Sequence, residues 1–286
     1  MKLNRDIFRY INKNFSIMYH SVSGGKDSTF AFLKLVGEPN LKIPIVLLFN
    51  DTGLELRSTL FSISKLFDFA EQQGVKTIIL DYKPYLENTQ YANKNAAFIL
   101  KESFTRIPQA EKLLEEGKYS KKIFSCCNYL KHRGLHAFAK TTSKNALFTS
   151  SIRGGESKNR QLWLAALRLE HSYFNFDIKL NRTVFYPLRD TNEGEVNSFL
   201  LKHPSFWTTE KSGCRICPVV CLFEINKNPQ TLERSKRFYE KVKISRSGQN
   251  DPLVSINLDS KITDDLTMNS SESLSNNIIK KMEVKE

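Results

Sequence analysis

The chain has 286 residues, 40% hydrophobic and 26% charged, enough for one large domain or two small ones, and the balance excludes a wholly disordered protein. No stretch approaches the ~20 uninterrupted apolar residues of a membrane span, and the charged amino terminus, MKLNRDIFRYINKNF, has no apolar leader core, so a cytoplasmic protein is expected. The net charge is +13; Asp251 to Glu286 carry four lysines against seven carboxylates, so residues 1–250 carry +16, which suits nucleotide phosphates or nucleic acid as partners.

In chain order, apolar β-prone runs predict strands over Ser16–Val22, Pro44–Phe49, Lys76–Leu80, Ala146–Ser150 and Thr183–Tyr186. Between them, apolar residues at helical spacing predict helices over Leu60–Gln72 and Glu156–His171. Tyr82–Phe124 reads as polar and helical. Asn192 with Glu195 forms a capping-box pattern for a helix reaching His203. Strand–helix alternation implies an α/β fold, Rossmann-like, with a mostly parallel sheet flanked by helices and a ligand at the carboxyl ends of its strands. After Lys243 the apolar pattern fades. One domain over residues 1–244 is expected, followed by a polar, flexible tail over 245–286 with a short terminal helix. There are no internal repeats.

Three turns carry chemistry. The first predicted strand empties into SGGKDS, Ser23–Ser28, and a helix follows at once. The glycines Gly24 and Gly25 let backbone approach a ligand, and the helix start aims N–H groups and its positive dipole end at the turn. Lys26 adds a mobile cation, Ser23 and Ser28 add hydroxyls, and the natural guest is phosphate. It is not a Walker A loop, because that motif needs glycine where His20 and Ser21 stand. The second strand ends in Asp51-Thr52-Gly53 with Glu55 two residues on; Asp51 suits a ribose hydroxyl or a magnesium ion. The third turn, SIRGGESKNRQ, gathers Arg153, Ser157, Lys158 and Arg160, and arginine forks bind phosphate or sulfate oxygens in pairs.

All five cysteines cluster at Cys126, Cys127, Cys214, Cys217 and Cys221. Without a secretory signal a disulfide framework is not expected. The vicinal pair and the Cys-x-x-Cys pair, separated by 86 residues, offer four thiolates for zinc or a 4Fe–4S cluster, and spacing does not choose between them. Cys221 is spare: an alternative ligand, a sulfur carrier or a small core residue. His132, His136 and His203 read as surface or helix-packing histidines.

SGGKDS resembles the PP-loop, SGGxDS, of the adenine-nucleotide α-hydrolase superfamily, whose enzymes split ATP between its α and β phosphates or handle adenylylated sulfate. Asp51-Thr52-Gly53 with Glu55 is similar to the DTGxE element of the phosphoadenylyl-sulfate (PAPS) reductase family, and Arg153–Arg160 to the stretch that faces the substrate's anionic end there. The cysteine pattern resembles the 4Fe–4S ligand set of adenylyl-sulfate (APS) reductases, which implies a 4Fe–4S cluster on Cys126, Cys127, Cys214 and Cys217, with zinc second. The chain departs from those reductases in having no cysteine after Cys221 to form the thiosulfonate intermediate. GCRICPVV with Cys221 is closer to iron–sulfur DNA phosphorothioation enzymes, DndC-like and SspD-like. That resemblance implies a PP-loop ATP pyrophosphatase using ATP and Mg2+. Ser23, Gly24, Gly25, Lys26, Asp27, Ser28, Asp51, Thr52, Gly53, Arg153, Ser157 and Arg160 would bind the nucleotide, and Lys26, Asp27 and Ser28 would act in catalysis. DNA or another nucleic acid would be the sulfur acceptor and a cysteine desulfurase a partner. The alternatives are an APS/PAPS-type sulfonucleotide reductase and a non-catalytic nucleotide-binding iron–sulfur subunit of a larger complex.

Overall fold

The computed structural model describes residues 3–120, 123–156, 158–166, 173–204, 206, 214, 216–223 and 229–246. They pack as two units. The first is built from the described residues of Met1–Asp51, Glu55–Asn88 and Tyr129–Gly213; the second from Thr52–Leu54, Thr89–Asn128 and the described residues from Cys214 onward.

In the first unit, β1 (Ile17–Val22), β2 (Ile45–Asp51), β3 (Lys76–Asp81), β4 (Ala146–Thr149), β5 (Phe174–Asp177) and β6 (Arg182–Phe185) form one sheet in the order β3-β2-β1-β4-β6-β5. Every pairing is parallel except β5 with β6. The fold is therefore α/β with a mostly parallel sheet, as the alternation of elements implied. β5 was not expected from the sequence: it is four residues long, Phe176 on it is 54% exposed, and its strand geometry comes from pairing with β6.

Side chains alternate across the sheet and feed a core on each face. Met18, Leu147 and Phe185 pack with Ile7, Phe8 and Ile11 of α1 (Arg5–Asn14) and with Leu35 of α2 (Lys26–Val36). Val46, Leu48, Ala146, Phe148 and Val184 pack on the other face with Ala139 of α6 (Arg133–Thr141) and Leu164 of α7 (Lys158–Ala166). The predicted helix over Glu156–His171 is thus a short 3-10 turn, Gly154–Glu156, followed by α7; residues 167–172 lie outside the described residues. α3 (Arg57–Gln72) follows β2, and α8 (Glu193–Leu200) is capped by Asn192, whose side chain accepts from Glu195 N at 2.8 Å. From β1 the chain steps outward through β2 and β3, then returns to β4 on the other side of β1. The ends of β1 and β4 therefore flank the point where strand order reverses, the place where open α/β sheets bind ligands.

The second unit is helical: α4 (Ala96–Thr105), α5 (Ile107–Glu115), α9 (Pro218–Leu222) and α10 (Pro229–Arg246). α10 packs on α4 and α9, with the Phe104 and Phe238 rings 5.0 Å apart at a steep tilt. The expected tail lies, from residue 247 onward, outside the described residues.

Candidate functional site

β1 ends at Val22, and the chain turns through Ser23–Gly25 into α2. Two serines close this turn. Ser28 Oγ accepts from the Ser23 amide at 3.2 Å, lies 3.4 Å from Ser23 Oγ and donates to the Gly25 carbonyl at 3.1 Å. Gly24 has φ +71°, and a Cβ there would stand 2.7 Å from Thr59 Cγ2 and 2.9 Å from the Thr59 carbonyl oxygen. Glycine is therefore needed twice over, for its conformation and for the approach of α3. Gly25 is the N-cap of α2 and, as a glycine, offers no side chain to its first-turn N–H groups. Such a turn can hold an anion at the helix start.

The charged residues of the turn are held by later parts of the chain. Lys26 Nζ is paired with Glu193 Oε1 and lies 3.3 Å from Asn197 Oδ1, so α8 holds this lysine. Asp27 Oδ1 accepts from Arg153 Nε at 2.8 Å. Arg153, just beyond β4, is 1% exposed; its Nη1 and the Ser151 Oγ are buried with no hydrogen-bond partner among the described residues. A buried guanidinium with an unspent donor beside the first turn of α2 has capacity for one more oxygen ligand.

The remaining predicted residues are more dispersed. Asp51 ends β2, half-buried, opposite Asp81 of β3. Thr52 and Gly53 belong to the second unit; Thr52 is 1% exposed, and Gly53 has φ +70° with nothing within 4 Å of a Cβ. Glu55 is buried. Arg160 is exposed on α7, and Ser157 lies outside the described residues. The His132 and His136 rings stack at 6.2 Å, and burial lowers the pKa of both; His203 packs on Phe199.

Sequence reasoning missed His20, Glu193 and Asn197. His20 is fully buried between β1, α2 and β4: Nε2 lies 2.9 Å from the Ser28 carbonyl and Nδ1 2.6 Å from Thr149 Oγ1. It ties the start of α2 to the two central strands. Only the alternation of buried positions along β1 hints at it. Burial lowers its pKa to about 4, against a small opposing effect of the Ser28 carbonyl. The unfolded chain therefore takes up the proton first, and the contribution of neutral His20 is complete above pH ~6.5 and declines as pH falls toward ~4. Urea unfolding at stepped pH is expected to show stability falling across that window, and a His20→Gln chain is expected to lose that part of the slope.

The second unit holds all five cysteines, and no disulfide joins any of them. The Cys126 thiol is hydrogen-bonded with that of Cys127 and lies within electrostatic reach of Cys214; the Cys127 contact and burial push its pKa up. Tyr119 lies within reach of Cys217 and Cys127, and its hydroxyl is buried with no hydrogen-bond partner among the described residues. Among the described residues no three His, Cys, Asp or Glu side chains are gathered closely enough to hold a metal. The thiols are soft donors of the kind a thiophilic centre uses, drawn from two distant segments, but the described geometry does not bring three of them together. Cys221 is buried on α9.

No family model and no curated protein matches the sequence. Solved structures with partial similarity to the chain are of low sequence identity. PAPS reductase from Candida auris, in a phosphate complex, is 11% identical, with a TM-score of 0.41, covering 70% of this chain and 79% of that one. The U34-tRNA thiolase NcsA from Methanococcus maripaludis, solved with its [4Fe-4S] cluster, is 14% identical with a TM-score of 0.43, covering 84% and 79%. NMN synthetase from Francisella tularensis is 12% identical with a TM-score of 0.35, covering 87% and 97%. Among the described residues no helix is long and apolar enough to cross a membrane.

Proposed function

We propose that this chain is a PP-loop ATP pyrophosphatase that adenylates an acceptor for iron–sulfur-dependent sulfur insertion, with a DNA backbone phosphate oxygen as the acceptor. The observation that carries the reading is the turn itself: Ser23 and Ser28 close it, Gly24 lets α3 approach, and Asp27 is clasped by an arginine with a donor to spare. ATP phosphates would lie on Ser23–Ser28. The acceptor oxygen attacks the α-phosphorus, the bond to the β-phosphate oxygen breaks, and pyrophosphate leaves with the electron pair. Lys26, released from Glu193, and the helix-start amides would stabilise the charge that builds on pyrophosphate. Arg153 would orient an anionic oxygen through Nη1. Asp51, with phosphate oxygens, would hold Mg2+, which neutralises phosphate charge when bound. Sulfur reduced to the sulfide level would then attack the adenylated phosphorus, forming a phosphorus–sulfur bond while the phosphorus–oxygen bond to AMP breaks and AMP leaves with the electron pair.

Cys126, Cys127, Cys214 and Cys217 would hold a 4Fe–4S cluster, which supplies electron and sulfur chemistry when bound. Cys221 is the reserve ligand or sulfur carrier, and a cysteine desulfurase would supply the sulfur.

Lys26→Ala and Ser28→Ala are each expected to weaken ATP binding by about ten-fold or more, the loss of one charge-assisted or structural hydrogen bond. Titration calorimetry reads this, and unchanged affinity in both variants contradicts the assignment of the turn. With the anaerobically purified chain, sulfite released from APS or PAPS replaces the proposal with a reductase. Inertness toward ATP, APS and PAPS alike replaces it with a non-catalytic subunit.

A further inference from the structure

Two buried polar atoms stand two residues apart just beyond β4. Ser151 Oγ and Arg153 Nη1 are both shut off from solvent, and neither has a hydrogen-bond partner among the described residues. Protein interiors rarely leave such groups unmade, because each has given up its hydration and gained no bond for it.

The alternation of side chains along this segment sets the direction of Ser151. Leu147 shares a core with Leu35 of α2. Thr149 Oγ1 lies 2.6 Å from Nδ1 of His20, whose Nε2 lies 2.9 Å from the Ser28 carbonyl. Arg153 Nε donates to Asp27 Oδ1 at 2.8 Å. Residues 147, 149 and 153 therefore all face α2, whereas Phe148 and Ile152 pack into the core on the opposite face of the sheet. The Ser150 amide still donates to the Phe185 carbonyl at 2.9 Å, so the extended chain continues past the end of β4. A period of two places Ser151 on the α2 face, between the attachments made by Thr149 and Arg153. Those attachments end on Ser28 and Asp27, in the first turn of α2.

The chemistry of the two groups narrows what they can hold. A guanidinium offers only N–H donors and keeps its charge, and a serine hydroxyl can donate beside it. Arg153 repels a cation, and an apolar group would leave both donors unmade. An anionic oxygen accepts from both at once, and hydrogen bonds of this charged kind are the strong ones.

We propose that Ser151 Oγ and Arg153 Nη1 form a two-donor subsite for a single phosphoryl oxygen of the nucleotide, with Ser151 the residue that fixes where this oxygen lies. The inference rests on the reading of the Ser23–Ser28 turn as a nucleotide site. It adds to that turn a ligand from the end of a different strand.

The test is titration calorimetry of the full chain and of Ser151→Ala with ATP, AMP and pyrophosphate as probes in Mg2+, beside urea unfolding of both chains without ligand. Ser151→Ala is expected to weaken ATP binding by about ten-fold, the loss of one hydrogen bond to a charged group. Only one of the two fragments shares the loss: AMP if the oxygen belongs to the α-phosphate, pyrophosphate if it belongs to the departing end. The urea midpoint of the ligand-free variant is expected not to fall, because the hydroxyl has no bond there to lose. Three results overturn the inference. Unchanged ATP affinity leaves the hydroxyl to a bound water only. Equal effects on AMP and pyrophosphate mark a general distortion of the turn. A lower urea midpoint shows that the hydroxyl already serves the fold. If the unaltered chain binds none of the three probes, the reading of the turn fails and the subsite falls with it; failure of the subsite alone leaves ATP bound equally by both chains.

Discussion

Replacing Asp27 with alanine is expected to lower the unfolding free energy by about 3–5 kcal/mol, a larger loss than Arg153→Met produces. The asymmetry follows from where the two charges lie. The Arg153 side chain is 2% exposed and the Asp27 side chain 17%. Without Asp27, a guanidinium that already has one unpartnered nitrogen stays charged in the interior, because arginine does not deprotonate. Without Arg153, the Asp27 carboxylate still faces the first turn of α2, where the helix dipole favours a negative charge, and it retains some water. Denaturant unfolding of both single variants and the double variant checks this. The double variant is expected to be more stable than Asp27→Ala alone. Equal losses from the two single substitutions contradict the described burial.

Gly24→Ala is expected to cost more than Gly74→Ala, although the two glycines share nearly the same backbone. Their φ values are +71° and +67°, so each alanine pays about 1–2 kcal/mol for the left-handed conformation. At Gly74 nothing lies within 4 Å of the added carbon. At Gly24 it meets the Thr59 side chain at 2.7 Å and the Thr59 backbone oxygen at 2.9 Å, so α3 or the turn must shift. The expected excess is about 1–3 kcal/mol, the cost of overpacking a close contact. Because the shift falls on the Ser23–Ser28 hydrogen bonds, Gly24→Ala also weakens ATP binding in a calorimetric titration, whereas Gly74→Ala leaves it unchanged. Equal stabilities for the two variants would show that the turn tolerates a side chain.

Much of the scaffold was legible because it is written in local patterns. β1, β2, β3, β4 and β6 are apolar runs bounded by turns, and the Asn192 cap of α8 stands in a fixed relation to Glu195. What remained hidden depends on partners far along the chain. β5 is a strand because β6 pairs with it. Lys26 looked like a free cation, but its partner Glu193 is 167 residues away. In sequence His20 marks only a position where a Walker A glycine is absent, and its links to Ser28 and Thr149 come from the order of strands. Ser151 is an ordinary serine in sequence; only folding buries its hydroxyl beyond β4. The close approach of Arg153 to Asp27 likewise spans 126 residues. Residue types pointed to the chemistry, but geometry decides which groups restrain it.

In the proposed function, the turn after β1 serves cleavage between the α and β phosphates of ATP. The direct measurement is the identity of the products when the anaerobically purified chain, with its metal centre reconstituted, is incubated with ATP, Mg2+ and DNA, followed by phosphorus NMR. AMP and pyrophosphate are expected in equal amounts, with formation abolished in Lys26→Ala. ADP and orthophosphate as the products would contradict it.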